Sequence, residues 1–241
     1  MSIKLQQINE FHNVLKNYSP SDKARAILAD TPLVIFLGIT GSGRNTIINH
    51  LVETGKYHFI VSDTTRPPKF RDGKMEEDGV QYHFRREEDV LNDLKDGLFL
   101  EAEVIHNQQV SGISVRELER AYKSHKIPIT EVDVEGTANI LNAKPDTKIF
   151  FIVPPNYGEW IHRLTHRETM SSEELENRTQ TAVRVIEAGL ANDQYTFVIN
   201  EYSHNSAAMI DAQVFGERDH RHDAATRQVA ANILKEIQSH L

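Results

Sequence analysis

Cysteine is missing altogether, which excludes disulfides, thiolate zinc sites and a cysteine nucleophile. Positive charge is in short supply: 27 Lys and Arg face 35 Asp and Glu, for a formal net charge of −8. Neutralising a phosphate backbone needs a basic face, so general nucleic-acid binding is not expected, although local basic sites stay open. No apolar run reaches membrane-spanning length and no signal-peptide pattern is present, so a cytoplasmic chain without membrane association is expected. Internal repeats and low-complexity tracts are absent as well. What remains is an ordinary globular composition, 39% hydrophobic and 26% charged, long enough for one embellished domain or two small ones.

One stretch organises the chain. Leu33 to Gly38 is an apolar run, Gly38, Gly41 and Gly43 make a glycine-rich turn, and Ile47, Ile48 and Leu51 follow at helical spacing. Glycines let the backbone turn tightly and present its N–H groups, and the helix N-terminus beyond adds unpaired donors and a positive dipole end. The stretch reads as a phosphate cradle. Its spacing matches the P-loop pattern G-x-x-x-x-G-K-[ST] as Gly38-x4-Gly43-Arg44-Asn45, with Arg44 in the lysine position and Asn45 in that of the magnesium-binding hydroxyl, Thr46 next to it. A glycine-rich strand-to-helix turn without a nucleotide is the plain alternative for a motif with two departures.

Before this stretch, residues 1–29 read as two helices, the first with Ile8, Phe11 and Leu15 in a stripe and the second opened by Ser19-Pro20. After it, Tyr57 to Val61 reads as a strand feeding Ser62-Asp-Thr-Thr-Arg-Pro-Pro-Lys69, whose prolines predict an irregular loop carrying Arg66 and Lys69. Lys69 to Gly79 reads as a surface loop, Val80 to Phe84 as a strand and Glu87 to Asp96 as a helix. Phe99 to Ile105 is a strand holding Glu101 and Glu103, Ser111-Gly112 a turn, and Ser114 to Ser124 a helix. Glu131 and Asp133 end the strand from Ile127, where the carboxyl ends of parallel strands line a ligand crevice. Lys148 to Val153 is a buried strand, Phe197 to Asn200 a last short one, and Ala224 to Leu241 an amphipathic helix. Arg163, Arg167 and Arg178 lie on a polar helical stretch rich in glutamate, which also suits an ion-paired surface helix. Alternating strands and helices opened by a P-loop predict an α/β fold with a central parallel sheet between helical layers.

The ordered motifs resemble the guanylate kinase family from about Leu33 to Asn200. Gly38-Ile-Thr-Gly-Ser-Gly-Arg-Asn-Thr46 resembles G-P-S-G-x-G-K-S-T. Val61-Ser-Asp-Thr-Thr-Arg-Pro-Pro-Lys69 resembles V-S-x-T-T-R-x-P-R, and Gly79-Val-Gln-Tyr-His-Phe84 resembles G-x-x-Y-x-F. Phe99-Leu-Glu-Ala-Glu-Val-Ile-His-Asn107 is similar to F-[IL]-E-x-A-E-[VF]-x-x-N with one residue fewer before Ala102. Glu131-Val-Asp-Val-Glu-Gly136 is similar to D-[IV]-D-x-Q-G, and Pro154-Pro-Asn156, Arg163-Leu-Thr-His-Arg167, Arg178 and Val198-Ile-Asn200 follow the family's order.

The resemblance implies a P-loop NTPase three-layer fold with an acceptor-binding subdomain and an arginine-bearing lid, and transfer of the ATP γ-phosphoryl to GMP with Mg²⁺. Gly38, Thr40, Gly41, Ser42, Gly43, Arg44, Asn45, Thr46 and Asn200 would take ATP, with Asn45 or Thr46 on the magnesium. Ser62, Arg66, Lys69, Tyr82, Glu101 and Asp133 would take GMP. Arg44, Arg163, Arg167 and Arg178 would act in catalysis, and the chain would be a monomer or homodimer. The implied organisation is a helical extension (1–29), a kinase-like domain (30–210) and a C-terminal loop and helix (211–241). Within the domain the core is 30–60, 127–155 and 183–210, the acceptor region 61–126 and the lid 156–182. Ser111 and Ile113 stand where the family has a tyrosine and a hydroxyl, and Lys69 where it has an arginine. With Arg44 and Asn45 they leave two other readings open, a catalytically impaired guanylate-kinase-like binding module and a kinase of another phosphorylated acceptor.

Overall fold

The structure, a computed structural model, describes residues 5–71, 73–166 and 170–241. In chain order the elements are α1 (Ile8–Leu15), α2 (Asp22–Asp30), β1 (Val34–Gly38), α3 (Arg44–Glu53), β2 (Tyr57–Phe59), β3 (Asp63–Thr64), β4 (Phe70–Arg71) and β5 (Lys74–Met75). Next come β6 (His83–Phe84), α4 (Glu87–Lys95), β7 (Phe99–Ile105), β8 (Gln109–Ser114), α5 (Val115–Lys123), β9 (Ile127–Glu131) and α6 (Val134–Ala143). The last are β10 (Lys148–Val153), α7 (Tyr157–His166), α8 (Ser172–Leu190), β11 (Thr196–Ile199), α9 (Ser203–Phe215) and α10 (His220–Ser239).

These elements group into two compact units. One comprises Leu33–Tyr57, Ile129–Thr137 and Lys148–Leu241. Its sheet runs β11-β10-β1-β9-β2, with β1 parallel to both β10 and β9, and β10 parallel to β11. Every residue of β1 is buried, as its unbroken apolar sequence requires of a strand covered on both faces. Phe151 and Phe197, paired in register, stack with centroids 4.5 Å apart. Helix α9 is not disclosed by the sequence pattern, because Ser206 and Gln213 are buried beside Ala207, Ile210 and Val214 and blur the apolar stripe.

The other unit comprises residues 1–32, His58–Pro128 and Ala138–Thr147. Its sheet runs β6-β3-β8-β7, with β3 parallel to β6 and antiparallel to β8, and β7 antiparallel to β8. Phe11 of α1 packs with Val90, Leu91 and Leu94 of α4 and with Phe99 and Val110 of the sheet.

Four sequence expectations are corrected here. Ser111-Gly112 lies inside β8 rather than in a turn; the reversal falls at His106 and Asn107, both with positive φ. The Ser62–Lys69 loop contains β3, and the 69–79 loop contains the β4–β5 hairpin. Helix α2 is capped by Ser21, whose Oγ accepts from Ala24 N at 3.3 Å, while the Oγ of Ser19 accepts from Arg25 at 2.8 Å.

Candidate active site

The turn after β1 is built as its glycines demand. A Cβ on Gly38 (φ +147°) would stand 2.5 Å from Ile152 O, and one on Gly43 (φ +88°) would stand 2.2 Å from the Asn200 amide. Gly43 is the N-cap of α3 and offers no side-chain acceptor, so the first-turn N–H groups of that helix stay available to an anion. Three side chains brace the turn from behind its sequence. Asn200 Nδ2 donates to Ser42 O at 2.8 Å, Trp160 Nε1 donates to Thr40 O at 2.8 Å, and Arg163 Nη1 donates to Asn200 O at 3.0 Å. Asn200 is buried with its amide committed to the loop, which makes it a support of the cradle in this structure. Trp160 carried no functional sign in the sequence beyond being the chain's one tryptophan.

Two cavities open on this loop. The larger, about 560 Å³, is lined by Thr40, Gly41, Gly43, Arg44, Asn45, Thr46, Glu131 and Arg163. The second, about 310 Å³, shares Thr40, Arg44 and Glu131 with the first and adds Gly38, Asp133 and Arg178. Three of the four arginines expected to act in catalysis therefore converge on the glycine-rich turn; Arg167 lies outside the described residues. Arg44 Nε stands 3.6 Å from Glu131 Oε2, beyond hydrogen-bond length, and that oxygen is buried with no hydrogen-bond partner among the described residues. Arg163 and Arg178 each pair with a glutamate one turn earlier on their own helix, Glu159 and Glu174. Asp133 is exposed and caps α6, its Oδ1 accepting from Gly136 N at 2.7 Å.

In the other unit Arg66 is buried and its guanidinium is forked onto Glu76, with the second contact at 2.9 Å. The same group lies 4.7 Å from the centroid of Tyr82 and 5.5 Å from that of Phe84. Hydrogen bonding to Glu76 raises the Arg66 pKa, so its positive charge is secure. Lys69 is exposed, and its backbone N–H donates to Glu76 at 2.9 Å. Ser62 is half-buried, and its carbonyl accepts from His83 N. Glu101 is buried opposite Ile113, and Glu103 lies opposite Ser111, whose hydroxyl donates to Thr64 at 2.8 Å. Ile113 itself is fully buried.

Sequence reasoning missed the carboxylates that organise this unit. Asp63, 1% exposed, takes Arg85 at 2.7 Å and Arg116 at 2.8 Å; burial raises its pKa while the two arginines hold it down. Glu117, fully buried, takes His83 at 3.1 Å, His58 at 3.3 Å and Arg120 at 2.7 Å. Burial opposes its ionisation, but hydrogen bonds from His58, His83 and Val61 N–H, together with Arg120, outweigh that and lower its pKa to about 2. All of these partners but Arg120 lie 22 to 59 positions away in sequence, too far for any local pattern to disclose.

Among the described residues no helix is long and apolar enough to cross a membrane, and no cluster of three His, Asp or Glu suits a metal ion. A family model for guanylate kinase matches residues 30–214. The guanylate kinase of Sulfurimonas denitrificans is 35% identical over 169 residues, covering 69% of this chain and 78% of that protein. The guanylate kinase of Helicobacter pylori strain 26695 is 35% identical over 182 residues, 75% of this chain and 85% of that protein. The solved structure of guanylate kinase from Anaplasma phagocytophilum superposes with a TM-score of 0.55 at 23% identity, covering 80% of this chain and 88% of that one, a likeness of fold. With a parallel sheet feeding a glycine-rich turn, and with relatives of this kind along most of its length, the chain belongs to the guanylate kinase family of α/β P-loop proteins.

Proposed function

We propose that the protein transfers the γ-phosphoryl group of ATP to GMP, giving ADP and GDP. The observation that carries this reading is the convergence of Arg44, Arg163 and Arg178 on the cavities at the glycine-rich turn. Phosphoryl transfer asks a protein for positioning and charge neutralisation more than for a nucleophile or a base. Backbone N–H groups of the turn and of α3 would hold the donor phosphates, and the three arginines would meet the charge that spreads over the equatorial oxygens. An oxygen of the GMP phosphate would form the new bond to phosphorus as the bond to the ADP oxygen breaks. Arg66, Lys69 and Tyr82 would take the acceptor's phosphate, and Ser62, Glu101 and Asp133 its guanine edge. Arg167 belongs to the same proposal.

Magnesium fits the donor set at the turn. Thr46 hydroxyl, Asn45 amide oxygen and the Glu131 carboxylate, one oxygen of which accepts no hydrogen bond among the described residues, line one cavity and are all hard oxygen ligands. Mg²⁺ bound there would neutralise phosphate charge; it favours a few protein oxygens plus substrate phosphates over a protein cage.

Two observations favour other readings. Glu131 beside Arg44 supports an impaired nucleotide-binding module, and the burial of Ile113 supports another phosphorylated acceptor. Calorimetric titration with GMP and with ATP and magnesium, followed by ADP detection, separates the three. Binding of both with turnover is expected. GMP binding without ATP binding would point to the module, and no ADP above background with GMP, dGMP, UMP or AMP would end the kinase reading for these acceptors.

A further inference from the structure

The family match begins at residue 30, yet the segment before it is wired into the strand that carries Glu101. β7 is an edge strand, so its outer N–H and C=O groups need partners from outside the sheet. Tyr18 supplies both at one residue: its hydroxyl donates to Phe99 O at 2.7 Å and accepts from Phe99 N at 2.8 Å. Ser21 N donates to Gly97 O at 3.0 Å, and a Cβ on Gly97 would stand 2.6 Å from Ser21 N, so the two backbones meet as closely as they can. Immediately after this clamp the β7–β8 register slips: Phe99 opposes Ser114, but Glu101 opposes Ile113. Leu100 is the extra residue of a bulge. Without it Glu101 would oppose Gly112 and turn to the face that Phe99 packs against α1 and α4, because a one-residue slip inverts every later side chain.

Resting on the kinase reading above, we propose that Tyr18 and Ser21 form a positioning element for the acceptor site: they clamp residues 97–99 and hold the bulge that fixes the face presented by Glu101. Burial pushes the Tyr18 pKa up to about 12, with the Glu101 charge adding to the rise and the Phe99 hydrogen bond opposing it, so the hydroxyl keeps its proton and serves as donor and acceptor at once. The extension is thus part of the acceptor-binding unit.

The test compares full-length Tyr18→Phe with full-length Phe11→Leu, which loosens the same extension's core without touching the clamp. Tyr18→Phe is expected to raise KM for GMP about tenfold, the cost of about one lost hydrogen-bond pair, with KM for ATP and kcat within about twofold of wild type. Amide exchange at Phe99, Leu100 and Glu101 should quicken, while Phe11→Leu lowers Tm and leaves KM for GMP unchanged. If Tyr18→Phe lowers Tm but leaves KM for GMP at the wild-type value, the clamp is merely structural and the proposal is overturned. A wild type that does not turn over GMP defeats the kinase reading instead. Amide exchange then decides alone: quickening confined to residues 99–101 supports the clamp, and unchanged exchange removes it.

Discussion

Two of the cations we assign to phosphate, Arg44 and Arg66, are held in opposite ways. At the glycine-rich turn Arg44 faces a cavity with its nearest carboxylate 3.6 Å away, and the loop itself is held by neutral donors, the Asn200 amide and the Trp160 indole. Between Ser62 and Phe84, Arg66 is buried, forked onto Glu76 and faced by two aromatic rings. The first arrangement leaves charge available at once. The second stores it against an internal anion, and a ligand phosphate must compete with Glu76 to reach it. A cation named in a motif is therefore only half a site; the other half is the group that holds it when the ligand is away.

Breaking the stored pair should have the largest effect. Glu76→Ala leaves an uncompensated buried guanidinium and should lower stability by about 3 kcal/mol, read as a fall in the denaturant midpoint. GMP should then raise Tm more in the variant than in wild type, because its phosphate fills the place of the lost carboxylate. Equal shifts in the two proteins would mean that Arg66 is a structural residue only.

Next comes Arg44 at the open end of the comparison. Arg44→Ala should lower kcat about a hundredfold or more, the loss expected of a transition-state charge clamp, with little change in Tm because the side chain is not buried in the core. A kcat that stays at the wild-type value would show that Arg44 does not stand in for the lysine of the family pattern. Trp160→Phe keeps an aromatic ring and removes the hydrogen bond to Thr40, which at about 1 kcal/mol predicts a several-fold rise in KM for ATP. If KM for GMP moves instead, the indole is not what holds the donor loop.

How much of this was legible follows the length scale of the signals. The apolar run of β1, the glycines and the stripe of α3 are local, so the cradle could be read from consecutive residues. The resemblance then placed Arg66, Glu101 and Arg163 in order. What it could not give was partners: Glu76 lies across a two-stranded hairpin whose strands are two residues each, too short for alternation to show. β8 was hidden for a related reason. Gly112 reads as a turn residue, but it sits in the strand because a Cβ there would stand 2.4 Å from Glu101 O across the ladder, a close approach only the fold reveals.

The subtlest readout, a slope rather than a loss, concerns how the region of stored charge responds to acid. Glu117 has its pKa lowered to about 2 from an ordinary 4.5, so the native state binds its proton less readily than the unfolded chain does. A depressed folded pKa stabilises the protein above the unfolded value, and that contribution is lost as pH falls through the folded one. Stability contributed by Glu117 should thus hold down to about pH 4.5 and drain away between there and about pH 2, steepening acid unfolding of the wild type. Glu117→Gln cannot ionise, so it should start less stable and show a shallower fall across that window, measured by urea midpoints at successive pH values. Equal slopes in the two proteins would place the acid sensitivity elsewhere. Asp63 is not that place: burial raises its pKa, so the native state takes up its proton more readily than the unfolded chain does, and falling pH favours the fold at this group.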